Sequence, residues 1–212
     1  MITRRVAMAF LGLLAGVAAF MPLNGARAQD ASMLELGVAG PLGDIPMGPE
    51  NAKVTIYEYS SFTCNHCGDY KTNTFPELKK KYIDTGKVRY IRRELSFDPL
   101  AMGAAMLARC SGKEKYEAVS ELLFQQQEKW AFTEKPLDGL RTIMRQTGMS
   151  DEQFDSCLKD QKTLDGLLAV KNRASDVLKI ESTPTFFING KRVLGARPIA
   201  DFEKEIDEAL AK

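Results

Sequence analysis

Histidine is nearly missing from this chain of 212 residues: one occurs, at position 66. That excludes His-rich metal sites. A zinc centre would need four ligands and usually a second Cys or Cys/His pair at short spacing, whereas only Cys64 and Cys67 of the four cysteines lie close together. Attached haem would need a His directly after the second cysteine, where Gly68 stands. A Cys/His protease would have to form both parts of its dyad within one turn. Charge of one sign is not in excess either, since 29 Lys and Arg face 28 Asp and Glu, which argues against a nucleic-acid partner. The densest basic run, Lys79, Lys80 and Lys81, together with Lys71, reads as the solvent side of an amphipathic helix. Internal repeats and low-complexity tracts are also lacking.

Long apolar runs are scarce. The longest, from about Val6 to Phe20, is nearer fifteen residues than the roughly 20 that a spanning helix requires. It follows Arg4 and Arg5 and precedes Ala26-Arg27-Ala28, an A-x-A pattern, so residues 1–28 read as a signal peptide cleaved near Ala28. Cleavage there removes three arginines and no acid, taking the formal charge from +1 to −2. Residues 29–52 carry Gly37, Gly40, Pro41, Gly43, Pro46, Gly48 and Pro49, and are expected to form an irregular arm.

What is present centres on Cys64-Asn65-His66-Cys67. The β-branched and aromatic run Lys53–Ser60 precedes it as a strand, and Tyr70, Phe75, Leu78 and Tyr82 follow at roughly helical recurrence until Asp84-Thr85-Gly86. Two thiols in the first turn of a helix lie within bonding reach, and the unpaired N–H groups there stabilise a thiolate, as disulfide exchange requires. A structural disulfide without turnover is the competing reading, but so small a loop gives little chain-entropy stabilisation. Lys87–Arg92 reads as a second strand, completing a strand, helix, strand unit that implies parallel pairing. From 98 to 179 apolar residues recur at helical spacing, with Ser150 and Gln153 as a capping box. Thr185–Ile188, Asn189-Gly190 and Lys191–Leu194 read as a hairpin, and Ile199, Phe202, Ile206 and Leu210 form the stripe of a closing helix.

This order of elements, with Cys64-Asn65-His66-Cys67 and Ser182-Thr183-Pro184-Thr185 as its best motifs, resembles the DsbA family of exported thiol oxidases over roughly 53–212. The resemblance implies an α/β thioredoxin fold, 53–97 and 180–212, interrupted by an all-helical insertion, 98–179. It implies that Cys64 is the nucleophile, Cys67 the resolving thiol, and Pro184 a cis-proline beside Thr183 facing the site. His66 is then placed to stabilise the thiolate, while Asn65 departs from the proline often found there. Glu58, on the strand face of Val54 and Ile56 and six residues before Cys64, is a candidate proton-handling acid beneath the site, or else an exposed edge glutamate. Cys110 and Cys157 are expected to form a structural disulfide, as in some family members, with two buried free thiols as the alternative. No cofactor or metal is expected beyond the cysteine pair. The implied setting is the periplasm. The implied partners are incompletely folded exported proteins with free thiols and a membrane quinone-linked oxidase, the protein itself being monomeric. An isomerase or reductase on the same fold, and a nonenzymatic dithiol chaperone or Cu(I) carrier, are the alternatives.

Overall fold

A computed structural model describes residues 30–212; the expected signal peptide lies outside them. Five strands form one sheet in the order β1-β3-β2-β4-β5: β1 (Pro46–Met47), β2 (Val54–Ser60), β3 (Val88–Glu94), β4 (Thr185–Ile188) and β5 (Lys191–Leu194). β2 and β3 run parallel, Val54 opposite Val88, while β2 and β4, β4 and β5, and β1 and β3 pair antiparallel. A parallel pair needs a crossover connection, and the helical run 65–83 supplies it.

β2 is covered on both faces because it alternates two kinds of apolar residue. Val54 and Ile56 pack with Tyr70, Phe75, Leu78, Phe186, Phe202 and Ile206 beneath the 65–83 run and the helix Ile199–Leu210. Tyr57 and Tyr59 point the other way, onto Leu36, Ile91, Leu178 and Phe187. The two-residue turn closing β4 to β5 has positive φ at Asn189 (45°) and Gly190 (91°), the backbone that Asn-Gly adopts most readily. A Cβ on Gly190 would also stand 2.6 Å from the Ala31 carbonyl.

Between Pro99 and Asp176 the chain is helical: Pro99–Cys110, Tyr116–Gln125, Gln127–Trp130, Pro136–Gln146, Asp151–Cys157 and Gln161–Asp176. Their apolar faces meet around Leu107, Tyr116, Leu123, Trp130, Leu140 and Phe154. Ser150 and Gln153 cap the fifth of these reciprocally.

Three features differ from the expectations. The arm 29–52 is not wholly irregular: Ser32 and Glu35 build a capping box on the helical turn Met33–Leu36, and Pro46–Met47 adds an edge strand opposite Ile91 and Tyr90. Proline is tolerated there because an edge residue need not donate to a neighbour. The run 65–83 is not a uniform α-helix. Pro76 has no N–H to offer, and the Phe75 amide reaches back to the Tyr70 carbonyl in a π-turn, Tyr70–Thr74; a second π-turn spans Lys79–Ile83. That extra residue per turn explains the five-residue step from Tyr70 to Phe75. Finally, Lys71 does not join the solvent face of this run. Its side chain is 2% exposed.

Candidate active site

The segment leaving β2 is held at several points before the helix begins. The Cys64 amide donates to the Ser61 carbonyl at 3.2 Å, and the Cys67 and Gly68 amides donate to the Cys64 carbonyl at 3.0 and 3.1 Å. Cys64 itself is extended (φ −86°, ψ 116°) and occupies the N-cap position of Asn65–Asp69. Thr63 Oγ1 donates to Asp98 Oδ2 at 2.6 Å, while Asp98 Oδ1 accepts from the Ala101 amide at 2.8 Å. One carboxylate therefore caps the first helix of the insertion and pins the loop before the thiols. From the same insertion, the Gln127 amide donates to the Phe62 carbonyl at 2.6 Å and the Cys64 carbonyl at 3.1 Å. Gly68 makes room for it, since a Cβ there would lie 2.6 Å from Gln127 Oε1.

Both thiols of the pair are free, Cys64 partly exposed and Cys67 fully buried. The Cys67 thiol donates to the Cys64 sulfur and is the largest influence on it; burial opposes ionisation, and the Thr183 hydroxyl and the backbone N–H groups of Cys67 and His66 favour it. Together they bring the Cys64 thiol down from its ordinary 9.0 to about 6. Burial pushes the Cys67 thiol well up, and the neighbouring Cys64 sulfur and the Glu58 charge push the same way. The result is one thiolate at neutral pH beside one protonated thiol, the asymmetry that thiol–disulfide exchange uses.

Across from the pair, the Thr183–Pro184 bond is cis and the Cys64 thiol donates to the Thr183 carbonyl at 3.2 Å. Thr183 thus offers Cys64 two groups: a carbonyl for the protonated form and a hydroxyl for the thiolate. His66 shares this corner only through its backbone. Its imidazole is 76% exposed, and Nδ1 lies 4.0 Å from Asp69 Oδ2.

Glu58 is completely buried, which removes the edge-strand alternative, because β4 covers that side of β2. Its Oε2 accepts from Tyr90 Oη at 2.6 Å and lies 3.7 Å from Lys71 Nζ. Cys110 and Cys157 are joined in a disulfide with Cα atoms 5.9 Å apart, tying the end of Pro99–Cys110 to the end of Asp151–Cys157. The sequence reading missed Asp98, Gln127, Arg92 and Glu117 as parts of the surroundings. Asp98 before Pro99 is a helix-start signal that could have marked one of them; nothing in the sequence near Gln127 points to the loop it grips.

A strand, a dithiol at a helix start and a cis-proline opposite it mark a thioredoxin-type fold. The chain belongs to the thioredoxin family: the family model described as Thioredoxin matches residues 42–208. Within that class its likeness is to DsbA proteins. A variant of Wolbachia pipientis alpha-DsbA1 superimposes with a TM-score of 0.78 at 30% identity, covering 85% of this chain and 96% of that one. Oxidised BdbD from Bacillus subtilis shares the fold, with a TM-score of 0.73 at 18% identity over 89% of this chain and 100% of that one. A Rickettsia felis protein to which protein-disulfide oxidoreductase activity is attributed is 37% identical over 168 residues, 79% of this chain and 60% of that relative's length.

Proposed function

We propose that this protein is a DsbA-type thiol:disulfide oxidoreductase that donates disulfides to newly exported proteins in the periplasm. The observation that carries the reading is the pairing of an acidified, accessible Cys64 with a buried, protonated Cys67 opposite the cis Thr183–Pro184 bond. In the donating direction a substrate thiolate attacks Cys64 of the Cys64–Cys67 disulfide. The intramolecular S–S bond breaks, a mixed disulfide forms at Cys64, and Cys67 leaves as a thiolate that takes up a proton. A second substrate thiolate then attacks its own chain's sulfur in the mixed disulfide and releases Cys64 as a thiolate. The substrate loses two electrons and the protein gains them. A thiolate with a low pKa is the better leaving group, so the acidified Cys64 favours this direction.

The substrate is an incompletely folded chain whose backbone lies beside Thr183. Exposed Phe97, adjacent to the Asp98 that holds Thr63, offers apolar surface near the thiol. A membrane quinone-linked thiol oxidase would accept the two electrons and restore the disulfide, and the protein would act as a monomer after removal of residues 1–28. The reduction potential tests the reading. Equilibration of the Cys64–Cys67 couple with glutathione should give about −120 to −150 mV, the oxidising end of the thioredoxin-like range, whereas about −250 mV or lower would replace the donor by a reductase or isomerase.

A further inference from the structure

Beneath the dithiol a row of charges alternates in sign and leads out into the helical insertion, three of them buried and the fourth, Glu117, 24% exposed. Glu58 stands on β2, Lys71 on the 65–83 run, Arg92 on β3 and Glu117 on Tyr116–Gln125. Lys71 Nζ lies 3.7 Å from Glu58 Oε2 and 3.3 Å from Glu117 Oε1, and 3.4 Å over the Phe75 ring. Glu117 Oε2 in turn lies 3.6 Å from Arg92 Nη2, and the Arg92 guanidinium sits 4.7 Å from the Tyr116 ring centre and 5.2 Å from that of Phe62. The two tyrosines on this floor, Tyr90 and Tyr70, have hydroxyls 3.2 Å apart, with Tyr90 donating to Glu58. Farther along β3, Glu94 pairs with Arg109 at 2.7 Å and closes its own charge balance.

Buried charges of this kind are expensive unless matched, and the four groups sum to zero. Lys71 is also four residues beyond Cys67 on the same helical run, so the two side chains share a face. Burial pushes the Glu117 carboxyl up, yet the Lys71 ammonium and Arg92 guanidinium hold it below the usual carboxylate range. We infer that Lys71 and Glu117 are positioning residues for the dithiol: as a matched pair they set the charge felt at Cys64–Cys67, so that the insertion, through Glu117, tunes the balance between disulfide and dithiol. The inference rests on the reading of the pair as a redox couple.

The sign of each substitution follows from the charge left behind. The disulfide is neutral and the reduced pair carries a thiolate, so a net negative floor disfavours the reduced form and a net positive floor favours it. With two glutathione thiols reducing the protein disulfide and one glutathione disulfide released, the equilibrium constant reads this directly. Lys71→Met should shift it toward the protein disulfide and Glu117→Gln toward the dithiol, each by roughly threefold or more, the least that one charge within about 25 Å gives at an effective dielectric near 20. The double variant should return to within about twofold of the parent. A merely structural role would move both single variants the same way, or neither, and either result overturns the inference. Should Lys71→Met fail to fold, the direction taken by Glu117→Gln decides alone. If the unaltered protein does not exchange with glutathione at all, the redox reading falls and the inference with it, whereas normal exchange without opposite shifts refutes the inference only.

Discussion

The acidity of Cys64 has a measurable consequence for its reaction with an alkylating agent. At pH 7 a thiol with its midpoint at about 6 is about 90% thiolate, against about 1% for one at the ordinary 9.0. Thiolates lose nucleophilicity as they lose basicity, with a Brønsted slope of about 0.4–0.5, so each Cys64 thiolate should react roughly 15- to 30-fold more slowly than an ordinary one. The net advantage over a free cysteine peptide is therefore about three- to sixfold at pH 7 and widens to roughly 30- to 60-fold at pH 5. Iodoacetamide labelling of the reduced protein, followed by mass spectrometry across pH 4–10, should place the half-maximal rate near pH 6 and leave Cys67 unlabelled. The same acidity carries a stability term. Because the folded value is depressed, thiolate stabilisation of the reduced form is complete above the unfolded midpoint near 9 and is lost as pH falls through 6. About 1 kcal/mol remains at pH 7 once partial exposure is allowed for. A labelling midpoint above pH 8 would refute the argument from the helix start, the Cys67 thiol and Thr183.

Three further outcomes follow from other parts of the molecule. Replacing Cys110 and Cys157 together by Ala opens a loop with a sequence separation of 47; denaturant unfolding should show a loss of up to roughly 4 kcal/mol, and an unchanged midpoint would contradict the chain-entropy argument. Gln127→Ala leaves the carbonyls of Phe62 and Cys64 without their side-chain donor, so stability should fall by about 1–2 kcal/mol and disulfide exchange should slow, measured by urea unfolding and by stopped-flow fluorescence. Glu94→Gln removes the charge paired with Arg109 and one of its two acceptor oxygens, turning an amide N–H toward the guanidinium while a single oxygen remains for Tyr116. Breaking such a pair should lower stability by about 3–5 kcal/mol, and a loss below 1 kcal/mol would show that water reaches the site.

How much was legible in the sequence depends on how local the cause was. The Cys64 pair, the Asn189-Gly190 turn and the Ser150 capping box are set by residues a few positions apart, and each lies in the structure where short-range chemistry puts it. Lys71 was misread because helical spacing shows only that a face is polar, not what covers it; two acids 13 residues before and 46 after draw this lysine inward. Pro76 was visible, but its effect, a π-turn that rotates Tyr70 relative to Phe75, depends on both rings finding places against Phe186 and Tyr90. Gln127 acts across 63 residues of sequence on backbone carbonyls, which carry no side-chain signature. The strand at Pro46–Met47 is two residues long and exists only because β3 presents it an edge.

The claim on which the account turns is that Cys64 and Cys67, and not Cys110 and Cys157, pass a disulfide to another chain. The direct test mixes the oxidised protein with one equivalent of an unstructured peptide bearing two thiols and maps every disulfide by mass spectrometry, with Cys64→Ser as control. The expected products are an oxidised peptide, a reduced Cys64–Cys67 pair and an intact Cys110–Cys157 bond, with no transfer by the control. A peptide that stays reduced, or one oxidised at the expense of Cys110–Cys157, would contradict it.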